Sequence, residues 1–257
     1  MKILITGFEP FGGDKVNPAW EAVKGLPEEI EGITIVKKEI PVVFGEGFRE
    51  VQKTILSLTC PGQGGEAPCD QRCDGMAAVI CVGVAGGRTG ITPEKIAVNY
   101  SDARIPDNAG NSPQAEKILP EGPDGHFTTL PAEAMVREMK EEGIPAYLSL
   151  SAGAYVCNDV FYRLMDFLSK GGLLGDAHIR EVLGRDSAIG GFIHVPYRKE
   201  MLEGKDFAGK ALPPSLPLAD ITRGLEICLR TVVRELKKGQ ERSARPIDLD
   251  GVLIREE

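Results

Sequence analysis

AYLSLSAGAYVCNDVFYRLMDFL, residues 146–168, carries three local signals in one segment. Ala146 to Leu150 form a short apolar run with an aromatic, the pattern of a buried strand. The small residues Ser151, Ala152, Gly153 and Ala154 follow, suited to backbone that turns tightly or passes close to something. Val160, Phe161, Leu164 and Leu168 then recur at helical spacing and predict one apolar helix face. Cys157 therefore lies at a strand-to-helix junction, at or near the helix N-terminus. Unpaired N–H groups and the positive end of the helix dipole favour an anion there, which shifts a thiol toward thiolate. The same N–H groups offer a seat for an oxyanion. The plainer reading of this position is a small buried core cysteine.

Outward from this segment, strand and helix patterns alternate. Lys2–Thr6, Ile33–Val43, Ala77–Val84 and Gly191–Tyr197 read as strands, and Gly45–Leu58, Pro131–Glu142 and Ala219–Lys237 as amphipathic helices. This alternation predicts an α/β fold. We expect a single domain over residues 1–238, a mostly parallel sheet flanked by helices on both faces. Asn17-Pro18 marks a helix start, with Asn as N-cap and Pro at the first helical position. GFEPFGG, residues 7–13, is a Gly- and Pro-punctuated loop, read most simply as a turn with two rings tucked into the core. It fits neither G-x-G-x-x-G nor the P-loop, and its Phe and Pro residues would obstruct a phosphate cradle. GVAGGRTG, residues 83–90, lies at the C-terminal end of a strand, where open α/β sheets bind ligands.

The 257 residues suffice for one sizeable core, with ordinary hydrophobic (42%) and charged (26%) content for a globular protein. A net charge of −8 and a pI near 5.1 argue against a nucleic-acid surface, which needs a basic face. No apolar run approaches the roughly 20 residues that span a membrane. The chain opens on a strand pattern without a signal-peptide pattern, so we expect a cytoplasmic protein. Of six cysteines, Cys60, Cys69 and Cys73 share one Gly/Pro-rich stretch. Free surface thiols, an internal disulfide and a metal site all remain open for them. Metal is the least supported, because paired C-x-x-C elements and a nearby histidine are missing.

Five motifs in order, GFEPFGG at 7–13, GRTGITPEKIAVN at 87–99, ARIPDN at 103–108, the Cys157 segment and GFIHVPY at 191–197, resemble the pyroglutamyl-peptidase I family of cysteine peptidases. The resemblance runs from the first strand to the helix ending near Lys238. Residues 59–75 and 171–189 look like insertions, and 239–257 like a C-terminal extension. It implies hydrolysis of the amide after an N-terminal pyroglutamyl (5-oxoproline) residue, on peptide substrates, without metal or organic cofactor. Members form homo-oligomers, so assembly is implied as well.

The resemblance also implies roles. Cys157 matches the nucleophile, His194 the base and Glu94 the group that orients it. On residues alone, Glu94 reads as a solvated strand-start carboxylate, and His194 is as readily a satisfied core histidine as a base. Phe8, Phe11, Ile105, Tyr155 and Val156 match the wall of the lactam pocket, and Asn17 would both cap its helix and lie near substrate. Arg104 matches a polar wall position or is a plain surface ion-pair partner. His126 and His178 are expected outside the site, His126 exposed. Two positions depart from the family pattern. Val84 stands where Gln is common, and Asp159 where a ring residue commonly follows Cys-Asn. A carboxylate at 159 would oppose a thiolate if it pointed inward, and would favour the helix dipole if it pointed to solvent. Two rival readings follow: the same fold with altered acyl specificity, and a non-catalytic metal-binding interaction protein built on Cys60, Cys69 and Cys73.

Overall fold

The computed structural model describes residues 1–59, 76–170, 189–202 and 211–243. Cys60, Cys69, Cys73 and His178, with nearly all of both expected insertions and residues 244–257 of the extension, lie outside the described residues.

Six strands form the main sheet, in the order β2-β3-β1-β4-β8-β5. The central four are β3 (Ile33–Ile40), β1 (Lys2–Phe8), β4 (Met76–Val84) and β8 (Ile189–Val195), all mutually parallel. Short antiparallel strands close the edges, β2 (Glu29–Ile30) on β3 and β5 (Thr92–Pro93) on β8. Parallel strands covered on both faces read as continuous apolar runs. β4 is the case in point, with MAAVICVG buried throughout. Helices α1 (Pro18–Lys24), α3 (Ala132–Glu141) and the last helix (Leu218–Ser243) share one apolar core with the sheet. On the other face, α2 (Glu46–Thr59) and α4 (Val156–Ser169) build a second core around Phe161, Tyr162 and Phe192. A small ladder of β6 (Ile96–Val98) and β7 (Gly125–Phe127) lies beside α4, and β9 (Tyr197–Arg198) pairs with β10 (Ser215–Leu216).

Three expectations need correction. The second strand ends at Ile40 rather than Val43, because Pro41 has no N–H for the ladder. The run Ala146–Leu150 joins no sheet as a strand. It meets residues 91–95 through single bridges at Ala146 and Ser149, since Pro93 lacks the N–H that would continue the ladder. Tyr147 and Leu150 are accordingly exposed. Third, His126 is not exposed: its side chain keeps only 14% of its accessibility. Its ring packs tilted against Tyr162, with centroids 5.0 Å apart, and faces Asp166 at 3.5 Å.

Asn158 fastens α4 to the neighbouring ladder. Its fully buried amide accepts the Val98 N–H at 3.0 Å and donates to the Val98 and Tyr100 carbonyls at 2.9 and 3.0 Å. Asn158→Ala would strand those backbone groups at a cost of about 2–3 kcal/mol. The expected calorimetric readout is a Tm lowered by roughly 5–10 °C. An unchanged Tm would contradict this anchoring role.

Candidate active site

Cys157 is the second residue of α4. The chain reaches it through Gly153, whose φ of +78° lies in the left-handed region that a side chain resists. Tyr155 is the N-cap residue and makes no side-chain cap hydrogen bond. The N–H groups of the first turn therefore open toward a cavity of about 220 Å³. Cys157 lines that cavity with Phe8, Phe11, Val42, Val84, Tyr155 and Val156, and Tyr197 and Met201 border it as well. Tyr155 is wedged between two rings, Phe11 at 5.5 Å and Phe44 at 5.3 Å.

The sheet delivers the other groups. Gly83 on β4 and His194 on β8 are in-register neighbours, so their side chains project to the same face. A Cβ at Gly83 would stand 2.9 Å from Cys157 Sγ and 2.8 Å from the Phe192 ring. The missing side chain at 83 is thus the space that the thiol occupies. Antiparallel pairing of Thr92 with His194 brings the following segment alongside β8. Glu94 Oε1 then lies 2.7 Å from His194 Nδ1, with Glu94 fully buried and His194 nearly so. A proton on Nδ1 faces the carboxylate and leaves Nε2 as the basic nitrogen.

A second cation shares that oxygen. Arg88, from the loop after β4, places its guanidinium 2.7 Å from Glu94 Oε1. It also donates to Thr92 Oγ1 and, at 2.9 Å, to the Ser151 carbonyl just before the Cys157 turn. Glu94 Oε2 is buried without a partner among the described residues.

Burial, with the Glu94 charge adding to it, pushes the Cys157 thiol up to about 12, while Arg88 and the residue's own N–H work the other way. Burial also lowers His194 below its ordinary value, although the hydrogen bond and charge of Glu94 act to raise it; Arg88 lowers it further. Burial thus favours the neutral forms of both groups, thiol and imidazole, and works against the shift toward thiolate that the helix terminus favours.

The remaining predicted residues divide. Phe8, Phe11, Asn17, Tyr155 and Val156 all line the cavity. Asn17 caps α1 as expected, accepting the Ala19 N–H at 3.0 Å and donating to the Glu9 carbonyl at 2.9 Å. Ile105 is more than half exposed and does not line this cavity, and Arg104 is exposed. Their segment touches the rim through the Tyr155 hydroxyl, which donates to the Pro106 carbonyl at 3.0 Å. Asp159 points neither at the thiol nor to solvent. It is buried, accepts the Gly45 N–H at 2.9 Å and pairs with Arg163 at 2.8 Å. Asp107 holds the adjacent Phe44 N–H at 2.9 Å, so two carboxylates fix the wall around Val42 and Phe44.

Sequence reading passed over Arg88, Val42, Tyr197 and Met201. Arg88 left one usable signal, a lone charge in an otherwise small and apolar Gly-rich loop six residues before Glu94. Val42 is the first residue past the break made by Pro41 at the end of β3, where crevice residues are to be sought. Among the described residues no group of three or more His, Cys, Asp or Glu could hold a metal ion.

Comparison with known proteins adds an independent line. The sequence profile of the pyroglutamyl peptidase family matches residues 1–62 and 71–235. A pyrrolidone-carboxylate peptidase of Clostridium botulinum is 41% identical over 233 residues, covering 91% of this chain and 93% of that one. One from Thermosipho melanesiensis is 40% identical over 236 residues, 91% of this chain and 100% of its own length. Among solved structures, pyroglutamyl peptidase I of Bacillus amyloliquefaciens superposes with a TM-score of 0.74 at 40% identity, covering 91% of this chain and 98% of that one. A profile spanning most of the chain, close relatives and a shared fold agree: the chain belongs to the pyroglutamyl peptidase family.

Proposed function

We propose that this protein is a cysteine exopeptidase that hydrolyses the amide after an N-terminal pyroglutamyl residue. One observation carries the reading: a thiol in an apolar cavity at a helix start sits against Gly83, whose in-register neighbour is a buried histidine paired to a buried carboxylate at 2.7 Å. In this mechanism Cys157 Sγ attacks the pyroglutamyl carbonyl as His194 Nε2 takes the thiol proton. Glu94 holds the imidazole in the required tautomer and stabilises the imidazolium that forms. Uncapped N–H groups of the first turn of α4 hold the oxyanion. His194 then protonates the leaving amine as the C–N bond breaks. Water, with His194 as base, cleaves the thioester, releases 5-oxoproline and restores the thiol.

Phe8, Phe11, Tyr155 and Val156 serve the ring of the lactam, which is compact and largely apolar on its faces. Its polar edge has few side-chain partners. Val84 offers none, and the Asn17 amide is already engaged with Ala19 and Glu9. Backbone groups therefore share lactam recognition with the other polar side chains of the lining, Asp14 and Tyr197. Val84 is also the observation that favours the second reading, the same chemistry with broader acyl specificity; rates on pyroglutamyl, prolyl and alanyl amides separate the two. Reducing conditions of a cytoplasm suit a thiol nucleophile. Among the described residues, no helix is long and apolar enough to cross a membrane. Assembly into a homo-oligomer is supported by large apolar side chains left exposed, Phe127 and Leu150 above all.

Cys157→Ala and Cys157→Ser should abolish turnover of a pyroglutamyl amide while near-UV dichroism and Tm stay close to wild type. Iodoacetamide should inactivate at the rate at which it labels Cys157. Substantial turnover by Cys157→Ala would sink the mechanism. His194→Ala should lose nearly as much, about 10³-fold or more in kcat, since it removes both base and acid. Glu94→Gln should lose less, as an amide still accepts the Nδ1 proton. Essentiality of His126 in place of His194, read in the same assay, would refute the assignment.

A further inference from the structure

Resting on that peptidase reading, we propose that Arg88 is a positioning residue for the reaction. Its guanidinium supplies the positive charge that Glu94 needs, so that His194 stays neutral and free to take the Cys157 proton.

A fully buried carboxylate requires a nearby counter-charge. Both groups that meet Glu94 do so at Oε1, His194 Nδ1 at 2.7 Å and Arg88 at 2.7 Å, while Oε2 has no partner among the described residues. Arginine is always charged, so the guanidinium and carboxylate sum to zero without a proton on the imidazole. Without Arg88, the nearest source of positive charge is His194 itself. A histidine held as imidazolium by Glu94 is no base for a thiol.

Few other charges face the pair. Cys81, from β4, is a buried thiol pushed up to about 12 by desolvation and stays neutral. Asp159 of α4 is turned onto the Gly45 N–H and Arg163. Lys95, next to Glu94 in sequence, pairs with Glu133 at 2.6 Å. Tyr197 also lines the cavity. Among the described residues, Arg88 is thus the one cationic side chain that favours the deprotonated forms of both Cys157 and His194. The sign is the same for both groups, so it holds whichever of the two carries the proton. Arg88 also braces geometry: it donates to Thr92, whose hydroxyl donates to the His194 carbonyl at 3.3 Å, and to Ser151 ahead of the Cys157 turn.

The test compares wild type, Arg88→Met and Arg88→Lys, using the pH dependence of kcat/KM on a pyroglutamyl anilide and of Cys157 alkylation by iodoacetamide. In Arg88→Met both acid limbs should move upward together by about one pH unit, with activity on the acid side of the limb down about 10-fold and recovering at alkaline pH. Arg88→Lys keeps the charge, so its limb should stay near that of wild type. Equal loss at every pH in Arg88→Met, with an unshifted limb, would overturn the proposal in favour of a purely structural brace. Should Arg88→Met fail to fold, the wild-type enzyme decides. Its His194 resonance, assigned by its loss in His194→Gln, should titrate below the usual histidine value of about 6.5. An imidazolium persisting at neutral pH would mean that His194 is the counter-ion of Glu94, and the proposal would fall. A shifted alkylation limb in a protein that does not cleave pyroglutamyl amides would keep the role of Arg88 and refute only the substrate.

Discussion

A carboxylate with no exposed surface governs the arrangement of this site. Glu94 leaves water entirely, and a buried charge of that kind persists only where partners repay its desolvation. Its partners are His194 from β8 and Arg88 from the loop after β4. That requirement ties together three stretches distant in sequence. β5 must pair with β8 so that residue 94 reaches residue 194, and the Gly-rich loop must fold back to bring residue 88 to the same oxygen. The Ser151 carbonyl, held by the same guanidinium, links this group to the turn that enters α4.

Around the cavity, other carboxylates do related work on the backbone. Glu9 accepts the Val42 N–H at 3.1 Å and the Asn108 amide at 2.8 Å; Asp107 accepts the Phe44 N–H, and Asp159 the Gly45 N–H. Loops 9–13 and 42–45 at the cavity and 105–111 at its rim are therefore fastened largely by acceptor side chains, with backbone bonds such as Asn108 N–H to the Val42 carbonyl at 3.0 Å beside them. Such charge-assisted bonds are shorter and stronger than neutral ones and hold loops where regular structure stops. The backbone bonds donated to Asp107, with the Asn111 amide, outweigh its desolvation and hold its carboxyl below the ordinary range. Asp159 belongs to this wall and leaves the electrostatics of the thiol to Glu94 and Arg88.

The architecture was largely legible in the sequence, because burial on both faces of a parallel sheet demands runs such as MAAVICVGV and a helical period demands Val160, Phe161, Leu164 and Leu168 on one side. The strand–turn–helix at Cys157, the cap at Asn17 and the spacing of the five motifs were legible for the same reason: each depends on neighbours within about one turn or one strand. What went astray were matters of pairing. The run Ala146–Leu150 has strand composition, yet Pro93 on the opposite segment denies it a ladder. His126 stands in a Gly- and Pro-rich stretch, yet it pairs with Ala97 in the short strand β7, and Tyr162 and Asp166 of α4 cover it.

Local period and caps were enough to read the fold class and the helix that carries Cys157 from the sequence, whereas Glu94 and His194 stood out only through the resemblance in motif order, and Arg88, Val42, Tyr197 and Met201 not at all. Tertiary structure alone decided their electrical state. Whether Cys157 rests as thiol or thiolate, whether Asp159 faces it, and whether Glu94 is met by one cation or two depend on burial and on distances across strands that are remote in the chain. Desolvation and Coulomb terms are set by such through-space neighbours, and no local pattern of residues records them.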